Sequence, residues 1–202
     1  MSNGEPSPPR RWSRVVVAAE WAFELHGEQR RKQADVPYVG HLLGVASIVI
    51  DDGGDDDQVI AGLLHDGPED QGGRKVLTEI SRRFGPLVAA IVDACTDTYE
   101  TPKPPWRARK EAWLARLASV PEEALRVICA DKLHNARAIV SALHSHGVAS
   151  LDHFNGGREG TLWYYRAAAD ALAARTPGPL TDELCRAVDA MERAARKAEP
   201  AG

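Results

Sequence analysis

The sequence predicts an all-α domain. Apolar residues recur at i, i+3 and i+4 through most of its 202 residues, the period of a helix with one buried face. Acidic first turns, prolines at first-turn positions and glycine pairs punctuate those segments as helix starts and stops. No run of alternating β-branched residues reads as a strand. The length fits one domain, and at this size about 70% of the unfolded chain's surface can be buried.

Residues 1–10 (MSNGEPSPPR) are expected to be a disordered tail, because three prolines and small polar residues cannot bury apolar area. Trp12, Val15, Val16, Ala19, Ala22 and Phe23 predict a first helix ending near His26 and Gly27. A turn at 34–37 leads to a second helix over 39–50, stopped by Asp51-Asp-Gly-Gly54. Asp55, Asp56 and Asp57 place acid at the start of a third helix running to His65, where it complements the helix dipole. Helices follow over 74–84 and 87–95, then a proline-broken loop over 97–105. Further helices are predicted over 106–118 and 121–143, the latter with proline in its first turn. Gly156 and Gly157 separate these from a helix over 161–174. The last helix, 181–197, carries an apolar stripe (Leu184, Val188, Met191, Ala195) that either caps the domain or forms a homodimer face. The main domain is expected to span 11–176, with 177–202 as the C-terminal helix.

Twenty-five Lys and Arg stand against 29 Asp and Glu, a net charge of −4, and 44% of residues are hydrophobic. That balance suits a globular domain and argues against a nucleic-acid coat. Three cysteines (Cys95, Cys129, Cys185) without C-x-x-C spacing argue against disulfides and a thiolate zinc site. No apolar run reaches the roughly 18 residues of a membrane span, and the start lacks the apolar region of a signal peptide. A cytoplasmic location is expected.

His65-Asp66 ends an apolar helix, and Glu69 and Asp70 follow one turn later. Three carboxylates and an imidazole so close together are costly unless a cation neutralises them or some stay protonated. A solvated acidic turn before Gln71-Gly-Gly73 is the alternative. Asp131 lies in an apolar segment, 127–136, where an unpaired carboxylate is expensive, with Asn135 on the same helical face. His41, near the start of the second helix, is a lone histidine of the kind more often structural than a ligand. Basic residues gather at Arg30-Arg31-Lys32 and at Lys103, Arg107, Arg109 and Lys110. They form either a solvated face or the rim of a site for a polyanion.

The ordered set His41, His65-Asp66 and Asp131 resembles the H…HD…D signature of HD-domain phosphohydrolases. The surroundings are more specific. Gln29-Arg-Arg-Lys32, Pro37-Tyr38, Leu63-Leu-His-Asp-Gly-Pro-Glu-Asp70, Cys95-Thr-Asp97 and Ala130-Asp-Lys-Leu-His-Asn135 resemble the hydrolase domain of RelA/SpoT proteins. Stand-alone forms of that domain are the small alarmone hydrolases. The likeness covers about 12–175 and leaves no room for a synthetase domain.

The resemblance implies a compact helical HD fold in which His41, His65, Asp66 and Asp131 bind one divalent ion, manganese in this family. It makes Glu69 and Asp70 the catalytic acidic pair and sets Arg31, Lys32 and Asn135 against the nucleotide. Lys103, Arg109 and Lys110 would reach its phosphates. The implied reaction removes pyrophosphate from the 3′ position of guanosine tetra- or pentaphosphate. Adenosine alarmones and NADPH are alternative substrates within the class, and a non-catalytic nucleotide sensor is the alternative outside it. Gly67-Pro68 departs from the aliphatic residues usual there. His134 stands where several relatives carry tyrosine, and reads either as a substrate contact or as a packing residue. Trp163-Tyr-Tyr165 falls where relatives place a substrate-facing tyrosine, although an aromatic stripe on a helix is also core.

Overall fold

The computed structural model describes residues 12–31 and 35–197. The tail over 1–10 and Lys32 lie outside the described residues. Ten α-helices and one 3-10 turn, and no strand, occur among the described residues. In chain order they are α1 (Trp12–His26), α2 (Val39–Asp51), α3 (Asp56–Leu64), α4 (Gly67–Gln71), α5 (Arg74–Phe84) and α6 (Pro86–Cys95). Then come α7 (Trp106–Leu117), α8 (Glu122–His146), the 3-10 turn (Val148–Leu151), α9 (Gly157–Arg175) and α10 (Pro179–Lys197).

Two helices organise the rest. Every residue of α3 from Gln58 to Leu64 is buried, so this short helix runs through the interior between α1, α2, α6 and α8. Its start is fixed by a capping box. Asp55 Oδ1 accepts from Gln58 N at 2.9 Å, and Gln58 Oε1 accepts from Asp55 N at 3.1 Å. Gln58 Nε2 also donates to Glu123 O at 2.9 Å, tying α3 to the first turn of α8. The 25-residue α8 is the long support, packed against α2, α3, α6, α9 and α10.

The stripe predicted on the last helix is buried. Leu184, Val188, Met191 and Ala195 pack within the chain, where α10 lies against α8 and α9. That stripe caps the core and presents no outer face.

Two elements differ from the sequence expectation. In α1 the buried face is Ala18, Trp21, Ala22 and His26, whereas Trp12, Val16 and Phe23 are 47%, 64% and 38% exposed. The apolar run Val15-Val-Val-Ala-Ala19 supports more than one stripe, and packing on α3 selects a face rotated from the predicted one, keeping Ala22 and the partly buried Val15 and Ala19. The acidic segment after His65 is a helix of its own, α4, with Pro68 in its first turn. Proline suits that position because the N–H it lacks would have no intrahelical partner.

Candidate active site

Four side chains converge where α3 ends. His41 comes from the first turn of α2, His65 and Asp66 from the α3–α4 junction, and Asp131 from the middle of α8. His41 Nε2 and His65 Nε2 are 3.3 Å apart. Asp66 Oδ2 lies 3.4 Å and 3.0 Å from those two nitrogens, and Asp131 Oδ1 lies 3.3 Å and 3.6 Å from them. His41, His65 and Asp66 offer ligand atoms all within 4.8 Å of one another.

The outer hydrogen bonds set the direction of each ring. His65 Nδ1 is 2.8 Å from Gly62 O, a pure acceptor, so that nitrogen carries the proton. His41 Nδ1 is 2.9 Å from His134 Nδ1, which also lies 3.4 Å from Arg31 Nη1. A guanidinium only donates, so His134 Nδ1 accepts and His41 Nδ1 donates. Both Nε2 lone pairs therefore point at two carboxylate oxygens. Four acceptors facing one another require a cation. Burial pushes His65 toward neutrality, but Asp66 and Asp131 outweigh it and hold the imidazole well above its ordinary range. Without a metal the cluster retains a proton that a divalent ion would displace. The spacings also fit, since ligands about 2.1 Å from one ion and at right angles to each other stand about 3 Å apart.

The acidic pair lies beside this cluster on α4. Glu69 Oε1 accepts from Lys103 Nζ at 2.9 Å, and its Oε2 from the Asp97 N–H at 3.3 Å. Asp70 Oδ2 accepts from Gln29 Nε2 at 2.8 Å. Burial and the nearby charge of Asp66 raise the Asp70 pKa. Tyr38, its phenol pushed up by burial and by Asp66, donates to Asp66 Oδ2 at 2.5 Å.

The expected substrate residues divide. Arg31 Nη2 donates to Asn135 Oδ1 at 2.7 Å, and Asn135 Nδ2 to Asp131 Oδ1 at 2.6 Å, so both join the cluster's border. Arg109 and Lys110 share Asp97 Oδ2, Lys110 at 3.0 Å. Lys103, Arg109, Lys110, Arg31 and Asn135 all line one vestibule of about 350 Å³. Arg107, in contrast, lies over the Trp163 ring and pairs with Glu111. Arg30 pairs with Asp35. Gln29 and Asp97, which the sequence motifs include without a role, and Trp106 are additions to the site. The Trp106 ring crosses Gly156 so closely that a Cβ there would lie 2.6 Å from it. Gly160 also lies under the ring, where a Cβ would stand 3.0 Å from it, so Gly156 and Gly160 together seat the indole.

The profile of the HD domain family matches residues 18–152. The chain is an HD-domain hydrolase. It is 38% identical over 126 residues to the guanosine-3′,5′-bis(diphosphate) 3′-pyrophosphohydrolase MESH1 of Xenopus tropicalis, covering 61% of this chain and 68% of that one. The human MESH1 is 35% identical over 128 residues, covering 62% and 69% of the two chains. The hydrolase also superposes on a solved metazoan orthologue of SpoT with a TM-score of 0.74, covering 94% and 99% of the two chains. At 23% identity that likeness establishes the helical fold. The imidazole–carboxylate cluster is the part of the hydrolase suited to a divalent ion.

Proposed function

We propose that the protein hydrolyses the 3′-pyrophosphate of guanosine tetra- and pentaphosphate, releasing pyrophosphate and returning GDP or GTP, with manganese as its ion. The observation that carries this is the juxtaposition of the four-acceptor cluster with Glu69, Asp70 and a vestibule rimmed by Arg31, Lys103, Arg109 and Lys110. The activity printed for the MESH1 relatives supports it.

His41, His65, Asp66 and Asp131 would hold the ion. When bound, it supplies Lewis acidity toward phosphoryl oxygens and acidifies water. The chain's own groups account for the rest. A water oxygen joins the phosphorus attached to the nucleoside 3′-oxygen, and the bond from that phosphorus to the 3′-oxygen breaks. Glu69, held by Lys103 and the Asp97 N–H, orients the water and accepts the proton it loses. Asp70, whose raised pKa keeps more of it protonated, gives a proton to the departing 3′-oxygen. The basic residues hold the polyphosphate in line. Arg31 also borders a mainly apolar groove of about 320 Å³ beside His134 and Ala138, which suits the flat face of a base.

The test is a panel of guanosine and adenosine alarmones and NADPH assayed with manganese, alongside Asp66→Ala. Release of pyrophosphate from the guanosine compounds by wild type and none by the variant is expected. Preference for NADPH or an adenosine compound would replace the substrate assignment. Undiminished nucleotide binding without turnover would make the protein a sensor.

A further inference from the structure

Adjoining the vestibule is a second chamber of about 260 Å³, lined by the cluster's Asp66 and Asp131 and by Lys132, Thr161, Tyr164 and Tyr165. We propose that Thr161 and Lys132 form a phosphate subsite in this chamber, one that takes the distal phosphoryl group of the pyrophosphate moiety. This rests on the hydrolase reading above, because the ligand is that reaction's product.

The hydroxyl of Thr161 carries the argument. The residue sits in the first turns of α9, is 2% exposed, and its Oγ1 has no hydrogen-bond partner. A helical threonine ordinarily satisfies itself by donating back to the carbonyl four residues earlier. Thr161 does not, and a buried unsatisfied hydroxyl is a standing cost to the fold. Such a group in a cavity wall calls for a ligand that completes it.

Lys132 supplies the matching charge. Its Nζ donates to Asp131 Oδ2 at 2.6 Å, which uses one of three ammonium protons. The same nitrogen lies 5.0 Å from the Trp113 ring centre and 5.7 Å from that of Tyr164, and it makes no second hydrogen bond among the described residues. The two remaining donors and the Thr161 hydroxyl suit the oxygens of one phosphoryl group. Asp66, Glu69, Asp70 and Asp131 also face the chamber, so an anion is repelled from the metal-free site. With a divalent ion bound, its two charges and those of Lys110 and Lys132 balance the four carboxylates. Occupancy by pyrophosphate therefore requires the ion.

Titration calorimetry of the manganese-loaded protein with inorganic pyrophosphate tests this, with orthophosphate in parallel. Thr161→Val keeps the side-chain shape and removes the hydroxyl. It is expected to melt at the same or a higher temperature than wild type and to bind pyrophosphate about tenfold more weakly, the loss of one hydrogen bond to a charged group. Thr161→Ser, which restores the hydroxyl, is expected to bind within about twofold of wild type. Equal affinity in Thr161→Val, equal weakening in Thr161→Ser, or no pyrophosphate binding by wild type would each overturn the subsite. Turnover of guanosine tetraphosphate by wild type is read separately. Turnover with unchanged affinity in Thr161→Val removes the subsite alone. Hydroxyl-dependent pyrophosphate binding without turnover keeps the subsite and removes the reaction.

Discussion

His134 is held at its Nδ1 by two donors, His41 and Arg31, while burial and those same neighbours lower its pKa to about 4. An unfolded histidine titrates near 6.5. The neutral ring therefore contributes stability that is complete above about pH 6.5 and is lost as the pH falls toward about 4. Thermal melts of the metal-free protein across that window should show the decline, and His134→Gln should flatten it. A wild-type slope unchanged by that substitution would exclude the assignment. His41, His65, Asp66 and Asp131 were legible in the sequence because their types and order carry the pattern. The bond from His134 to His41 was not, since the two are 93 positions apart and only the packing of α2 on α8 brings them together. The same holds for Asp97, whose carboxylate collects cations from the following helix.

At the level of elements, the long periodic helices were readable and the short or ambiguous ones were not. α4 has five residues, too few for a period, so its acids read as a turn although they form the helix that carries Glu69 and Asp70. α1 was readable as a helix but not as a face, because its first half is apolar on several sides. The contact between α2 and α8 depends on Gly44, where a Cβ would stand 2.3 Å from two ring atoms of His134. Gly44→Ala should gain up to about 1 kcal/mol of helix propensity while pushing that ring off His41. Divalent-ion affinity, measured by competition with a chelating dye, is then expected to fall about tenfold or more, with a melting temperature equal to or below that of wild type because His41 Nδ1 loses its partner. Unchanged affinity would mean that His41 needs no outer partner.

Across the whole molecule, α8 joins the site to the core. It carries Asp131, Lys132, His134 and Asn135 on a helix that α10 covers elsewhere along its length. Leu180, Leu184, Val188 and Met191 of α10 are all buried. At about 1.5–3 kcal/mol each, their burial is comparable with the whole stability of a typical domain, about 5–15 kcal/mol. A chain ending at Gly178 is thus expected to lose cooperative unfolding in a urea titration. A sharp transition near the full-length midpoint would show that the core closes without this helix.

One feature of the vestibule bears on which ligands it can accept. Before any nucleotide arrives, Lys103 leans on Glu69, and Arg109 and Lys110 lean on Asp97. Three of the rim cations are thus already paired, Arg109 and Lys110 sharing one carboxylate, while Arg31 meets only Asn135 and His134, so capture is largely an exchange of partners. A ligand with one phosphate can displace one carboxylate and gains little over what the cation gives up. A ligand with several linked phosphates makes its second and third exchanges intramolecular, at high effective concentration. Internal ion pairing thus turns a generic attraction for anions into a multivalence filter that favours polyphosphates over singly phosphorylated ligands.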